Sequence, residues 1–157
     1  MRNSTRIAAA SLAAGLAVSA MALPAGAAPS NKGTTYVVPS ALTMSVLEGV
    51  AKPGALTDMG AAFGIVGNPK DGTIEHVGGL FVAGLKISNF TIDLTTDPDG
   101  AGDKIALVTG IVNDSFRAPL FEVGSDLTLY FTETASGAIV GSDAIAGEVA
   151  GTANIVM

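Results

Sequence analysis

The chain has 157 residues, a net charge of −6, no cysteine, no tryptophan and a 48% share of hydrophobic residues. Without cysteine there are no disulfide staples and no thiolate metal sites, so stability has to come from a packed core. The acidic balance argues against nucleic acid and anionic lipid as partners, because both repel such a chain.

Residues 1–27 read as a cleaved secretion signal. Arg2 and Arg6 form a positive start, Ile7 to Leu23 is charge-free and rich in Ala and Leu, and Pro24-Ala25-Gly26-Ala27 suits cleavage after Ala27. A retained anchor is the alternative, since an apolar run of about 17 residues lies near the lower limit for crossing a bilayer. No cysteine follows the apolar run, which excludes lipoprotein processing. Loss of Arg2 and Arg6 leaves six Lys/Arg against fourteen Asp/Glu, a net charge of −8, and no segment for membrane insertion. Residues 28–34 are a polar, flexible lead-in. Residues 35–157 then form a single domain, long enough to bury a sizeable core.

Thr35 to Val38 is a β-branched and aromatic first strand, stopped by Pro39. Ser40 is placed to cap a brief helix over Ala41 to Glu48, with Gly49 just past its end and Pro53 beyond; a strand through 41–47 competes with that reading. Pro53 to Gly60 reads as a loop, Ala61 to Val66 as a short apolar strand, and Gly67 to Gly72 as a dense turn signal.

The stretch Gly72 to Leu94 carries the longest run of strand-like residues. Its apolar positions change parity midway: Phe81, Ala83, Leu85 and Ile87 share one face, and Phe90, Ile92 and Leu94 the other. A strict period of two cannot bury both sets, so a bulge or bend is expected near Ser88-Asn89. Thr95 to Asp103 is a turn-rich loop. Ile105 to Val112 is apolar on both parities, as in an interior strand covered on both faces. Asn113 to Ser115 turns the chain into a strand over Ala118 to Val123. Leu127, Leu129 and Phe131 then alternate with Thr128, Tyr130 and Thr132, which predicts an inward and an outward face. A short helix or loop is expected around Ala138 to Ile145, and a last strand over Val149 to Val156. The expected fold is mainly β: an antiparallel β-sandwich or barrel of about seven to nine short strands with one or two short helices.

Few residues point to chemistry. His76 is the only histidine, so a hydrolase triad would have to use it, and no G-x-S-x-G elbow accompanies it. Carbohydrate enzymes usually carry aromatic platforms, and no tryptophan is present to build one. The chain therefore reads as a non-catalytic module. Asp97, Asp99 and Asp103 are spaced as in a calcium loop, although the twelfth position of an EF-hand would fall on Val108, and Pro98-Asp99-Gly100 is equally a plain turn. One histidine cannot build a transition-metal site without carboxylates, but it can support a tyrosine that ligates haem iron. Tyr36 is the candidate for that role, since Tyr130 faces outward on its strand.

Tyr36 in its Thr-Tyr-Val context, followed by His76 and then Gly79-Leu80 and a run of strands, resembles the HtaA family of exported actinobacterial haemin-binding domains. The likeness covers Thr34 to about Val112. It implies a β-sandwich, with Tyr36 as axial ligand of haem and His76 as its supporting partner. Glu75 stands where that family has Gly before its His, the glycine spacing differs by one, and the domain is short for the family. The segment Gly72-Thr73-Ile74-Glu75-His76-Val77-Gly78-Gly79-Leu80 resembles more closely a G-x-I-x-H-x-G-G-L segment of small uncharacterised exported bacterial proteins, which implies no activity. Together these readings give a secreted or envelope-associated binding module, possible partners being a small molecule such as haem, a calcium ion, or, for a structural protein, further copies of itself.

Overall fold

A computed structural model describes residues 32–49, 55–57 and 60–157. The expected signal 1–27 and most of the lead-in 28–34 lie outside those residues. The strands are β1 (Thr34–Pro39), β2 (Leu47–Gly49), β3 (Ala55–Thr57), β4 (Gly60–Lys70), β5 (Thr73–His76), β6 (Gly79–Val82), β7 (Leu85–Asp93), β8 (Lys104–Val112), β9 (Phe116–Gly124), β10 (Thr128–Phe131) and β11 (Val149–Val156). Two short helices join them, α1 (Ala41–Val46) and α2 (Glu133–Val140).

Every ladder is antiparallel, and the sheet closes on itself. From β7 the pairing runs through β5, β4, β1, β11, β10, β9 and β8 and returns to β7. The fold is a barrel, which removes the open edges that a sandwich has to protect. Closure also explains why β8 differs from its expected pattern. A barrel has one packed interior, so only alternate residues of each strand are covered. Ala106, Val108 and Val112 are buried, whereas Ile105 on the other face is 38% exposed.

The parity change in the central stretch is resolved in two places. A two-residue hairpin at Ala83-Gly84, both at positive φ, separates β6 from β7, so Phe81 ends on the outer surface and Val82 inside. Within β7, the register against β8 shifts between Ser88 and Thr91, with Asn89 at φ 50°. This bulge puts Ile87, Phe90 and Ile92 all in the core, as the sequence pattern demanded. Arg117 braces it from outside: its Nη1 donates to the Asn89 carbonyl at 3.1 Å and to the hydroxyls of Thr91 and Thr109, each at 3.0 Å. Leu94, expected to continue the inner face, lies past the end of β7 and is exposed.

Both helices sit at one end of the barrel, because β1 ends where β11 begins (Pro39 opposite Gly151) and Phe131 of β10 donates to the Glu148 carbonyl. Ser40 caps α1 by accepting from the Thr43 amide at 3.1 Å. The helix stops at Val46 rather than Glu48, because Leu47 is already extended and Leu47–Gly49 pairs with β6; Gly49 is therefore a strand residue. Thr132 caps α2, and Gly141 ends it in the left-handed conformation. That capping role turns Thr132 inward, against the simple alternation of β10.

Beside β7 the wall is interrupted. β5 pairs with the Thr91–Asp93 half of β7 and β6 with the Leu85–Ser88 half, and Val77-Gly78 joins them. Gly79 passes so close to β7 that a Cβ there would lie 2.3 Å from the Ile87 carbonyl oxygen. Gly79→Ala should accordingly cost about 2–3 kcal/mol, because backbone on both sides has to move. Gly137, inside α2 with open space around its Cα, should behave oppositely, Gly137→Ala adding roughly 1 kcal/mol of helix propensity. Urea unfolding of both variants checks the pair, and similar midpoints would contradict the placement of these glycines.

Candidate functional site

The only histidine lies where the wall divides. Below this point β4 pairs with β5, Ile65 opposite His76 and Val66 opposite Glu75, and the Val77 amide donates to the Gly64 carbonyl at 3.0 Å. Beyond it β4 pairs with β3, and β6 with β2. Among the described residues no ladder joins β2 to β3, so the wall forks. His76 stands at the base of that fork with its ring turned inward, only 3% exposed.

Both ring nitrogens are occupied. A carbonyl can only accept, so Nδ1 carries the proton and donates to the Phe90 carbonyl at 3.2 Å. Nε2 is then the acceptor, taking the Thr35 hydroxyl proton at 2.7 Å. Burial pushes the imidazole below its ordinary value of 6.5, and the carbonyls of Phe90 and Ile74 offset this only in part. An unfolded chain therefore takes up the proton first as pH falls below about 6.5. The stability that His76 contributes is present above that value and is lost as pH falls towards the depressed folded-state value.

Above the ring is a cavity of about 70 Å³ in the barrel interior. Its wall comes from β1 (Val37, Pro39), β4 (Ala61, Phe63), β6 (Leu80), β7 (Phe90, Ile92), β8 (Val108), β9 (Phe121), β10 (Leu129) and β11 (Ala150, Ala153), with Leu47 at the fork. Phe63 and Phe90 meet edge to face at 4.9 Å on one side. Its polar lining residues are Thr35, Thr43 and His76. Thr35 and His76 satisfy each other, and the Thr43 hydroxyl donates to the Ala150 carbonyl at 2.6 Å. The space is thus apolar and offers no unpaired donor.

Tyr36 and His76 are not brought together. Thr35 and Val37 line the cavity, so strand alternation turns Tyr36 to the outside, while His76 points in. A haem held by Tyr36 and supported by His76 would need both rings on one face, and the residues present do not fit that arrangement. Tyr130 also faces outward, with the Lys104 ammonium 3.0 Å from its ring centre.

The acidic loop is organised as a turn. Asp97 Oδ1 accepts from the amides of Gly100 and Gly102, and Asp99 Oδ1 accepts from the Ala101 amide. The Ala101 amide is the main cause holding the Asp99 carboxyl below its usual range. Asp93 is engaged by the hydroxyl and amide of Thr95 and by Thr96, which lower its pKa in turn. Among the described residues no three His, Cys, Asp or Glu side chains gather as a metal site, so Asp97, Asp99 and Asp103 do not converge.

No protein-family model, curated protein or solved structure matches the chain. Function is therefore inferred from the side chains themselves. Thr35 and the cavity lining had no signal in the sequence beyond parity: an inward histidine needs a partner on the inward face of β1, which is Thr35 and not Tyr36. Thr35→Val should leave Nε2 buried without a donor and cost about 1–3 kcal/mol, while Thr35→Ser should cost clearly less. Urea denaturation of the two variants at pH 7.5 checks this, and equal losses would show that the hydroxyl is not His76's partner.

Proposed function

We propose that this is a secreted, non-catalytic binding module whose barrel receives the short alkyl tip of an amphiphilic ligand through the fork. The observation that carries the reading is the apolar cavity beside the place where, among the described residues, the β3–β4 and β2–β6 ladders part. Size limits the ligand: the cavity holds about half of the ~150 Å³ that accepts benzene in an engineered protein core. It takes about three carbons, and any polar head has to remain at the fork, since the interior offers it no free partner. The non-catalytic part of the reading rests on the sequence, in which no G-x-S-x-G elbow accompanies the single histidine. Export rests on the sequence pattern of residues 1–27.

A calorimetric series of linear fatty acids of increasing chain length tests the proposal. Affinity should rise by up to ~0.8 kcal/mol per added methylene and level off once the cavity is filled. Ala153→Leu, which extends a side chain into the same space, should abolish the rise. A series without chain-length dependence, or one unchanged in Ala153→Leu, would overturn it.

A second reading is self-association, favoured by the barrel end that carries α2. Phe116 is 59% exposed there, at the rim of an apolar groove of about 200 Å³ that also involves Ile139. Sedimentation over a wide concentration range separates the two readings. Self-association predicts a weight-average mass that grows with concentration and returns to the monomer in Phe116→Ser.

A further inference from the structure

We propose that His76 is an acid-sensitive latch on the barrel wall: its protonation opens the fork between the β4–β3 and β6–β2 pairs while the β8–β9 ladder stays closed. The latch does not depend on what, if anything, fills the cavity.

The inference rests on what surrounds the ring. Thr35 and the Phe90 carbonyl bond the ring, Ile65 stands opposite it on β4, and Phe63, Leu80 and Ile92 line the same cavity; none of these is titratable. Glu75, its neighbour in β5, lies on the exposed outer face. Of the charged groups on β7, Lys86 is paired with Asp114 beyond the hairpin and Asp93 is tied to Thr95 and Thr96. An imidazolium could keep its hydrogen bonds, because the Thr35 hydroxyl can turn to accept. Among the described side chains none offers it a counter-charge, so there its charge has to be met by water.

Water reaches the ring most easily where the wall is weakest. Next to His76 the chain leaves the ladder at Val77-Gly78, and that joint is held by Val77 N–H to Gly64 and Asn89 N–H to Gly78, at 3.0 and 2.8 Å. Beyond it the wall has forked. Beyond β7, away from the fork, β8 and β9 form a continuous two-strand ladder from Lys104 to Val112, with shifts of register but no break.

Native-state hydrogen exchange resolved by residue tests the latch. After correction for the intrinsic effect of pH, opening at the Val77 and Asn89 amides, which hold the joint, should rise by about tenfold per pH unit below pH 6.5. Amides of the β8–β9 ladder should stay unchanged, and His76→Gln should remove the response at the fork. Uniform loss of protection around the whole barrel, or the same response in His76→Gln, would overturn the proposal. Should that variant not fold, ring resonances of the wild-type chain decide. An imidazole that titrates in step with fork exchange supports the latch, and one that titrates while the fork amides stay protected overturns it.

Discussion

The barrel depends on one strand meeting three partners. β7 pairs along one edge with β8 and along the other with β6 and then β5. A regular strand of that length would send Ile87 and Phe90 to opposite faces. The bulge at Asn89 brings both inside, and its backbone groups are not wasted: the amide donates to Gly78 and the carbonyl accepts from Arg117. Without the bulge, either the Leu85–Ser88 half or the Thr91–Asp93 half would turn its apolar residues to water, and the ring of strands could not close around one core.

The same place sets the character of the site. The bulge on β7 faces the break between β5 and β6, so two irregularities lie side by side. Backbone groups left over by irregular strands have to be satisfied, and burying them unpaired is costly. His76 takes up one of them, the Phe90 carbonyl, and Thr35 completes the set. The histidine is thus explained first as part of the wall. Its consequence for function follows from burial, because a neutral imidazole in an apolar chamber is stable only while no proton arrives.

Much of this fold is legible in residue parity. The bulge follows from the conflict between Ile87 and Phe90, the last strand from Val149–Val156, and the capped helix from Ser40. Closure is not legible in that way, because it is decided by which strands meet. Hence Ile105–Val112 resembles a strand covered on both faces when half of it meets solvent. The Tyr36–His76 pair is a similar case. The two residues do lie on neighbouring parts of the sheet, β1 and β5 being separated only by β4. Sequence order says nothing about which face each side chain takes, and one position along β1 exchanges Tyr36 for Thr35. The acidic loop was open to two readings because Asp-rich turns and calcium loops use the same residues. Two of its carboxylates, Asp97 and Asp99, accept from backbone amides of the turn itself.

The cavity itself follows from an uneven distribution of side-chain volume. Phe63, Phe90 and Phe121 contribute large rings to its wall, whereas β11 contributes Ala150 and Ala153, and β4 adds Ala61. A Cβ at Gly110 on β8 would come within 2.7 Å of the Leu120 side chain and 2.9 Å of that of Ile87, so enlarging it would make those side chains shift. Crowding at Gly110 and emptiness beside Ala153 therefore coexist in one interior. A void of 70 Å³ costs on the order of 2 kcal/mol of packing, a sizeable part of the ~5–15 kcal/mol by which domains are stable. Larger residues at Ala150 or Ala153 would reduce that cost without touching the His76 hydrogen bonds. The space behind the fork is thus set by alanines, whereas the position of His76 is set by the bulge, so cavity size and latch can be altered separately.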